Sequence, residues 1–216
     1  DCYQSHEKCE LIGVIDKSFE QTQKAAVAHN CKSYPNIESA LSENPDIVSL
    51  AIHPQFRSEY LSKICKHPSV KAIFCEKPLG LSVPEALDFV KLCKKTSKLL
   101  YINYQRKVNR TNLQLKKEFQ NGTRGKLQHV NFYYMRGMWT TASHYIDLSL
   151  SYFGKPDWVF ATESPIPSPY PEDRNAVMLL GYPTFLVHLI PLLSWDEGFY
   201  TCDQEFIFEK EKIYIP

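Results

Sequence analysis

The stretch "AIFCEKPLG", residues 72–80, decides the reading of this chain. Four apolar residues, Ala72-Ile73-Phe74-Cys75, stop abruptly at a carboxylate, an amine and a proline. A buried strand has no structural need of an acid–base pair at its tip. The carboxyl ends of strands are, however, where open α/β sheets bind ligands. Glu76-Lys77-Pro78 is therefore read as a strand end that carries chemistry.

Working outward, the first half alternates between short apolar runs and helical patterns. Leu11–Ile15, Ile47–Ile52, Val70–Cys75 and Leu99–Ile102 read as strands. Phe19–Asn30, Ile37–Glu43, Arg57–Lys66 and a stretch running to about Lys95 read as helices. Ser82 and Glu85 form the expected capping box for the last of them. Strand and helix in strict alternation with short connections predict parallel strands, right-handed crossovers and helices on both faces.

The second half changes character. Thr111–Gln120 and Ser143–Phe153 read as helices, closed by Asn121-Gly122 and Gly154. Strand patterns dominate elsewhere, over Leu127–Met135, Trp158–Thr162, Ala176–Leu180, Phe185–Leu189, Tyr200–Phe208 and Lys212–Ile215. The predicted fold is thus α/β: an incomplete Rossmann-type doubly wound parallel sheet, followed by an α+β domain with a mostly antiparallel open sheet. Residues 1–104 are assigned to the first domain and 105–216 to the second. The proline-rich run "ESPIPSPYPED" (163–173) is read as a surface loop.

Composition excludes several classes. Net charge is +1 with no basic block, which argues against nucleic acid as a partner. No apolar run approaches the roughly 20 residues of a membrane span. The seven cysteines form no C-x-x-C pair, and Cys65, Cys75 and Cys93 lie in apolar patterns. That usage points to a reducing compartment, the cytoplasm. The histidines show no metal-ligand spacing, so no metal is expected.

Asp16 follows the first apolar run. An acid there in a dinucleotide fold hydrogen-bonds the ribose hydroxyls and repels a 2′-phosphate, which favours NAD over NADP. A solvated turn after a strand is the plain alternative. The Gly-rich phosphate loop belongs about 20 residues earlier. Only fifteen residues precede Asp16, and the eight glycines include no G-x-G spacing. The first strand and its Gly-rich loop are therefore expected to be missing, through either truncation or loss.

Asp16, "IVSLAIHPQFRSEY" (47–60), "CEKPLG" (75–80), "YINYQRKVN" (101–109) and "ASHYIDL" (142–148), in that order, resemble the Gfo/Idh/MocA oxidoreductases. The run 133–154 together with "CDQEFIFEKEKIYI" (202–215) is similar to members linked to surface-polysaccharide sugar metabolism. The resemblance implies an NAD(P)-dependent sugar or nucleotide-sugar dehydrogenase, with NAD or NADP as cofactor. It also implies a homo-oligomer assembled through the C-terminal sheet, and relatives longer than this chain.

Carried over by residue, the resemblance makes Lys77 and His144 catalytic. Asp16, Pro54, Glu76, Lys77 and Asn103 line the cofactor, and Lys77, Arg106 and His144 meet the substrate. Arg57 stands where the family has a histidine, and Thr140 where many members have an aspartate. Asp147 is read as an orienting or capping residue, and Trp139 as packing or as a sugar-stacking platform. The alternatives are a non-catalytic relative that senses or binds sugar, or an inactive fragment without a phosphate loop.

Overall fold

In a computed structural model, which describes residues 3–193 and 201–216, the chain falls into two units, Asp1–Asn103 and Tyr104–Pro216. The first runs β1 (Gly13–Val14), α1 (Phe19–Ala28), β2 (Lys32–Ser33), α2 (Ile37–Leu41), β3 (Ile47–Leu50), α3 (Arg57–Lys66), β4 (Ala72–Cys75), α4 (Val83–Lys95), β5 (Leu99–Ile102). All its strand pairs are parallel. β1 pairs with β2, and β3, β4 and β5 form a second ladder in that order. Leu50, Leu61, Ile64, Ile73, Cys75 and Phe89 are among the buried side chains of its core.

Local chemistry sets the helix starts. Ser18, Asn36 and Ser82 each accept a first-turn N–H with a side-chain oxygen. At Ser82 the expected box is modified: the Glu85 carboxylate returns to the Leu81 N–H at 2.6 Å. The helix ends come earlier than periodicity predicts. Asn30 and Asn44 take the left-handed conformation, with φ of 45° and 57°, and stop α1 and α2 at Ala28 and Leu41.

Strands are also shorter than the apolar runs. β1 is confined to Gly13–Val14 because its partner β2 offers only two residues. β2 itself, polar Lys32–Ser33, carries no hydrophobic signal. The run Ile47–Ile52 leaves the ladder at Leu50, since the Ile52 carbonyl turns to a side chain described below.

The second unit contains α5 (Arg110–Asn121), β6 (Leu127–Tyr134), α6 (Ser143–Phe153), β7 (Trp158–Glu163), β8 (Ala176–Gly181), β9 (Leu186–Pro191), β10 (Gln204–Phe208) and β11 (Lys212–Ile215). The sheet order is β11-β10-β6-β9-β8-β7. Every neighbouring pair is antiparallel except β6 with β9. The sheet is therefore mixed, as a crossover from β6 to β9 requires. The run expected from Tyr200 is observed as β10 from Gln204, and Tyr200 itself lies outside the described residues.

One face of this sheet packs on α5 and α6. Val130, Phe132, Leu189 and Phe206 interlock there with Leu115, Tyr145 and Leu148, and all are buried. Phe132 stacks on Tyr145 with centroids 4.7 Å apart. The opposite face carries Asn131, His188, Leu179 and Phe160 in one cross-strand row. β7 is exposed along its whole length.

Candidate active site

The question posed by Glu76-Lys77-Pro78 has a structural answer. Beyond β4 the hydrogen-bond ladder continues for one more residue: Glu76 N–H donates to Leu50 O at 3.1 Å, and Asn103 N–H to Cys75 O at 2.8 Å. This places Glu76 beside Asn103, whose Nδ2 donates to Glu76 Oε1 at 2.5 Å. The other carboxylate oxygen accepts the Lys77 N–H at 3.3 Å. Lys77 is half-buried, and its bond to Pro78 is cis.

Arg57, only 1% exposed, braces the turn from beneath. Its Nε and Nη2 both donate to the Ile52 carbonyl, at 3.0 and 2.8 Å, and its Nη1 donates to the Pro78 carbonyl. One guanidinium thus ties the segment leaving β3 to the segment leaving β4. Burial of so hydrophilic a group is tolerated when its donors are satisfied. Pro54 is buried in a short 3₁₀ turn, Pro54–Phe56, immediately before α3. Burial also pushes the Cys75 thiol pKa up, against the opposing charge of Arg57.

Asp16 stands at the carboxyl end of β1, on the other ladder. Its Oδ1 accepts the Ser18 N–H at 2.9 Å, and its own N–H donates to Thr22 Oγ1 at 2.8 Å. The carboxylate is exposed. Gly13 serves packing: an added Cβ would collide with the Tyr34 ring and the Lys32 carbonyl. The exposed Asp16 carboxylate could accept ribose hydroxyls, and Glu76 and Asn103 offer an acceptor and a donor at neighbouring strand ends that could hold an amide. No glycine cradle for a pyrophosphate lies among residues 1–103, whose only glycines are Gly13 and Gly80.

In the second unit His144 lies in the first turn of α6 and is 7% exposed. The Tyr104 ring meets its imidazole edge-on, centroids 5.5 Å apart. Asp147, one turn later, pairs with Lys107 at 3.2 Å. Burial pushes the Asp147 carboxyl pKa up, and Lys107 partly offsets this. Burial likewise raises the Tyr104 hydroxyl pKa, against a hydrogen bond with Ser143. Arg106 lies 4.6 Å over the Tyr145 ring.

The structure therefore brings Glu76, Lys77 and Asn103 together in one unit, with Pro54 just before the helix that carries Arg57. It sets His144 and Asp147 together in the other. Sequence reasoning missed Arg57 as a brace, Tyr104 as the partner of the His144 ring, and Lys107 as the partner of Asp147. Arg57 sits among polar neighbours in "HPQFRSE" (53–59), so local sequence carries no signal for the first. The other two depend on contacts between α6 and the segment before α5.

Residues 1–104 match the Gfo/Idh/MocA family, described as an oxidoreductase family with an NAD-binding Rossmann fold. An uncharacterized oxidoreductase of Schizosaccharomyces pombe is 27% identical over 201 residues, covering 82% of this chain. The chain spans 54% of that relative's length. The WlbA dehydrogenase of Bordetella pertussis, solved with NADH and UDP-GlcNAcA, matches with a TM-score of 0.81 and 19% identity, over 98% of this chain and 72% of its own. Myo-inositol 2-dehydrogenase of Lactobacillus plantarum matches with a TM-score of 0.78 and 18% identity, over 99% of this chain and 70% of its own. At these identities the solved structures establish the fold: Rossmann-type parallel strands followed by a mostly antiparallel sheet.

Proposed function

We propose that the chain is part of an NAD(H)-dependent oxidoreductase that moves a hydride between nicotinamide and a carbinol or ketone carbon of a sugar or nucleotide sugar. The observation that carries this reading is the Glu76–Asn103 pair, which fixes Lys77 at the carboxyl end of a family-matched parallel sheet. Residues 1–104 hold the cofactor and 105–216 the substrate and the oligomer contacts.

The nicotinamide, when bound, supplies the hydride acceptor or donor. Glu76, Asn103 and Pro54 would border its ring, and Asp16 would take the adenosine ribose, which favours NAD over NADP. The Lys77 ammonium steadies the oxygen on which negative charge develops. His144 exchanges the hydroxyl proton, a task suited to imidazole near neutral pH. Asp147 and Lys107 hold the helix turn beneath it. Arg106 takes an anionic part of the substrate, its guanidinium plane held against Tyr145.

A nucleotide sugar is the favoured substrate class because the WlbA enzyme, alike in fold, was solved with one. A second copy of the chain is the favoured partner for the exposed sheet face, where Phe160 stands 55% exposed. Buried thiols at Cys65, Cys75 and Cys93 support a cytoplasmic setting, and no described helix is long and apolar enough to cross a membrane. The test is a screen of UDP-sugars and inositols with NAD+, read as NADH absorbance. Reduction dependent on one sugar class supports the reading, and a folded chain inert to all of them counts against it.

A further inference from the structure

We infer that Asp173 is a positioning residue for His144. The inference rests on the oxidoreductase reading only for its effect on turnover. Asp173 ends the proline-rich run and is 34 residues from the helix it serves, and it is buried at 6% exposure. Its Oδ1 accepts the Trp139 N–H at 2.7 Å and its Oδ2 the Thr140 N–H at 2.8 Å. Arg174 O accepts the Met138 N–H at 3.2 Å, and Asn175 Oδ1 accepts the Gly137 N–H at 3.0 Å. The segment 173–175 thus accounts for the amide hydrogens of residues 137–140, the donors that the start of a helix leaves open.

The helix so capped begins as a π turn, Met138–Ala142, and continues as α6. Gly137 O accepts both the Thr141 N–H at 3.2 Å and the Ala142 N–H at 3.3 Å, a widened turn. A π turn holds about one more residue than an α turn, so side chains beyond it are rotated by about 100°. His144 is the second residue past it. Its direction depends on that turn staying wide, and the turn is held by the Asp173 carboxylate and by Ser143 Oγ donating to Trp139 O at 2.7 Å. Negative charge at this helix end is also favoured by the helix dipole. Asn175 anchors the other side of the clamp, donating to Ile166 O at 3.2 Å and Pro167 O at 3.1 Å.

Two variants of the whole chain test this. Asp173→Asn removes the charge and one acceptor. Gly137→Ala leaves the carboxylate but places a Cβ 2.5 Å from Asp173 Cγ and Oδ2. The first readout is NMR of the histidine rings, assigned with His144→Gln, with His129 and His188 of the sheet as internal references. Both variants are expected to move the His144 signals beyond their linewidth and leave the two sheet histidines in place. The second readout is kinetic: kcat is expected to fall ten- to a hundredfold, with the NADH dissociation constant unchanged. An unmoved His144 in either folded variant overturns the inference. So does joint loss of the His129 and His188 signals in both, which would make Asp173 a stability element of the whole unit. A wild-type chain without turnover would sink the oxidoreductase reading, and the NMR result would still decide the role of Asp173.

Discussion

Asn103 donates to Glu76 across the ends of two adjacent parallel strands, and in doing so fixes the residue that precedes Lys77. The pair is partly buried and charge-assisted, the stronger kind of hydrogen bond. Replacing Asn103 by Leu leaves the Glu76 carboxylate without this donor. Stability is expected to fall by about 1–3 kcal/mol, read from urea unfolding. NADH affinity is expected to fall with it, and an unaltered affinity would remove Asn103 from the cofactor site.

Arg57 braces the same turn from the core side. Arg57→Met keeps the length of the side chain and strips the donors from the Ile52 and Pro78 carbonyls. The expected loss is about 2–4 kcal/mol, from two acceptors left short of partners. Arg57→Lys keeps the charge but not the fork, and should recover little of it. Full stability in Arg57→Met would show that the carbonyls find water instead.

His188 supplies a pH signature. Burial, and then the neighbouring His129, lower its pKa from 6.5. The unfolded chain then takes up a proton at a higher pH than the folded one does. Stability is therefore lost as pH falls through 6.5 toward the folded value, and is fully present above 6.5. His188→Gln should flatten the stability profile between about pH 7 and pH 5. An equal slope in the variant would assign the acid sensitivity to another group.

Lys77 and His144 should separate kinetically. Lys77→Ala is expected to abolish turnover while NADH still binds, since the ammonium acts on the reacting oxygen. His144→Ala is expected to lower kcat and erase the limb of its pH profile near neutrality. A retained limb would leave His144 with a structural role, such as its packing against Tyr104.

Much of the fold was legible. α3, α4, α6, β5 and β11 fall where hydrophobic period and capping place them, and Gly154 closes α6. What failed to show depends on partners distant in sequence. β2 exists only through its pairing with β1, and the parallel β6–β9 contact joins strands with α6, β7 and β8 between them. The site divides in the same way. Glu76, Lys77 and His144 were visible as motifs. Arg57 stood out only by replacing a family histidine and Asp173 as the end of a surface loop, yet both are buried among carbonyls or amides that local sequence does not reveal.

The most direct measurement is a titration of the chain with NADH, followed by nicotinamide fluorescence, with Asn103→Leu and NADPH alongside. The account predicts saturable NADH binding, weaker binding of NADPH, and a loss of about tenfold in the variant, the equivalent of one hydrogen bond to a charged group. A folded chain that binds neither nucleotide, or binds equally well without Asn103, would contradict it.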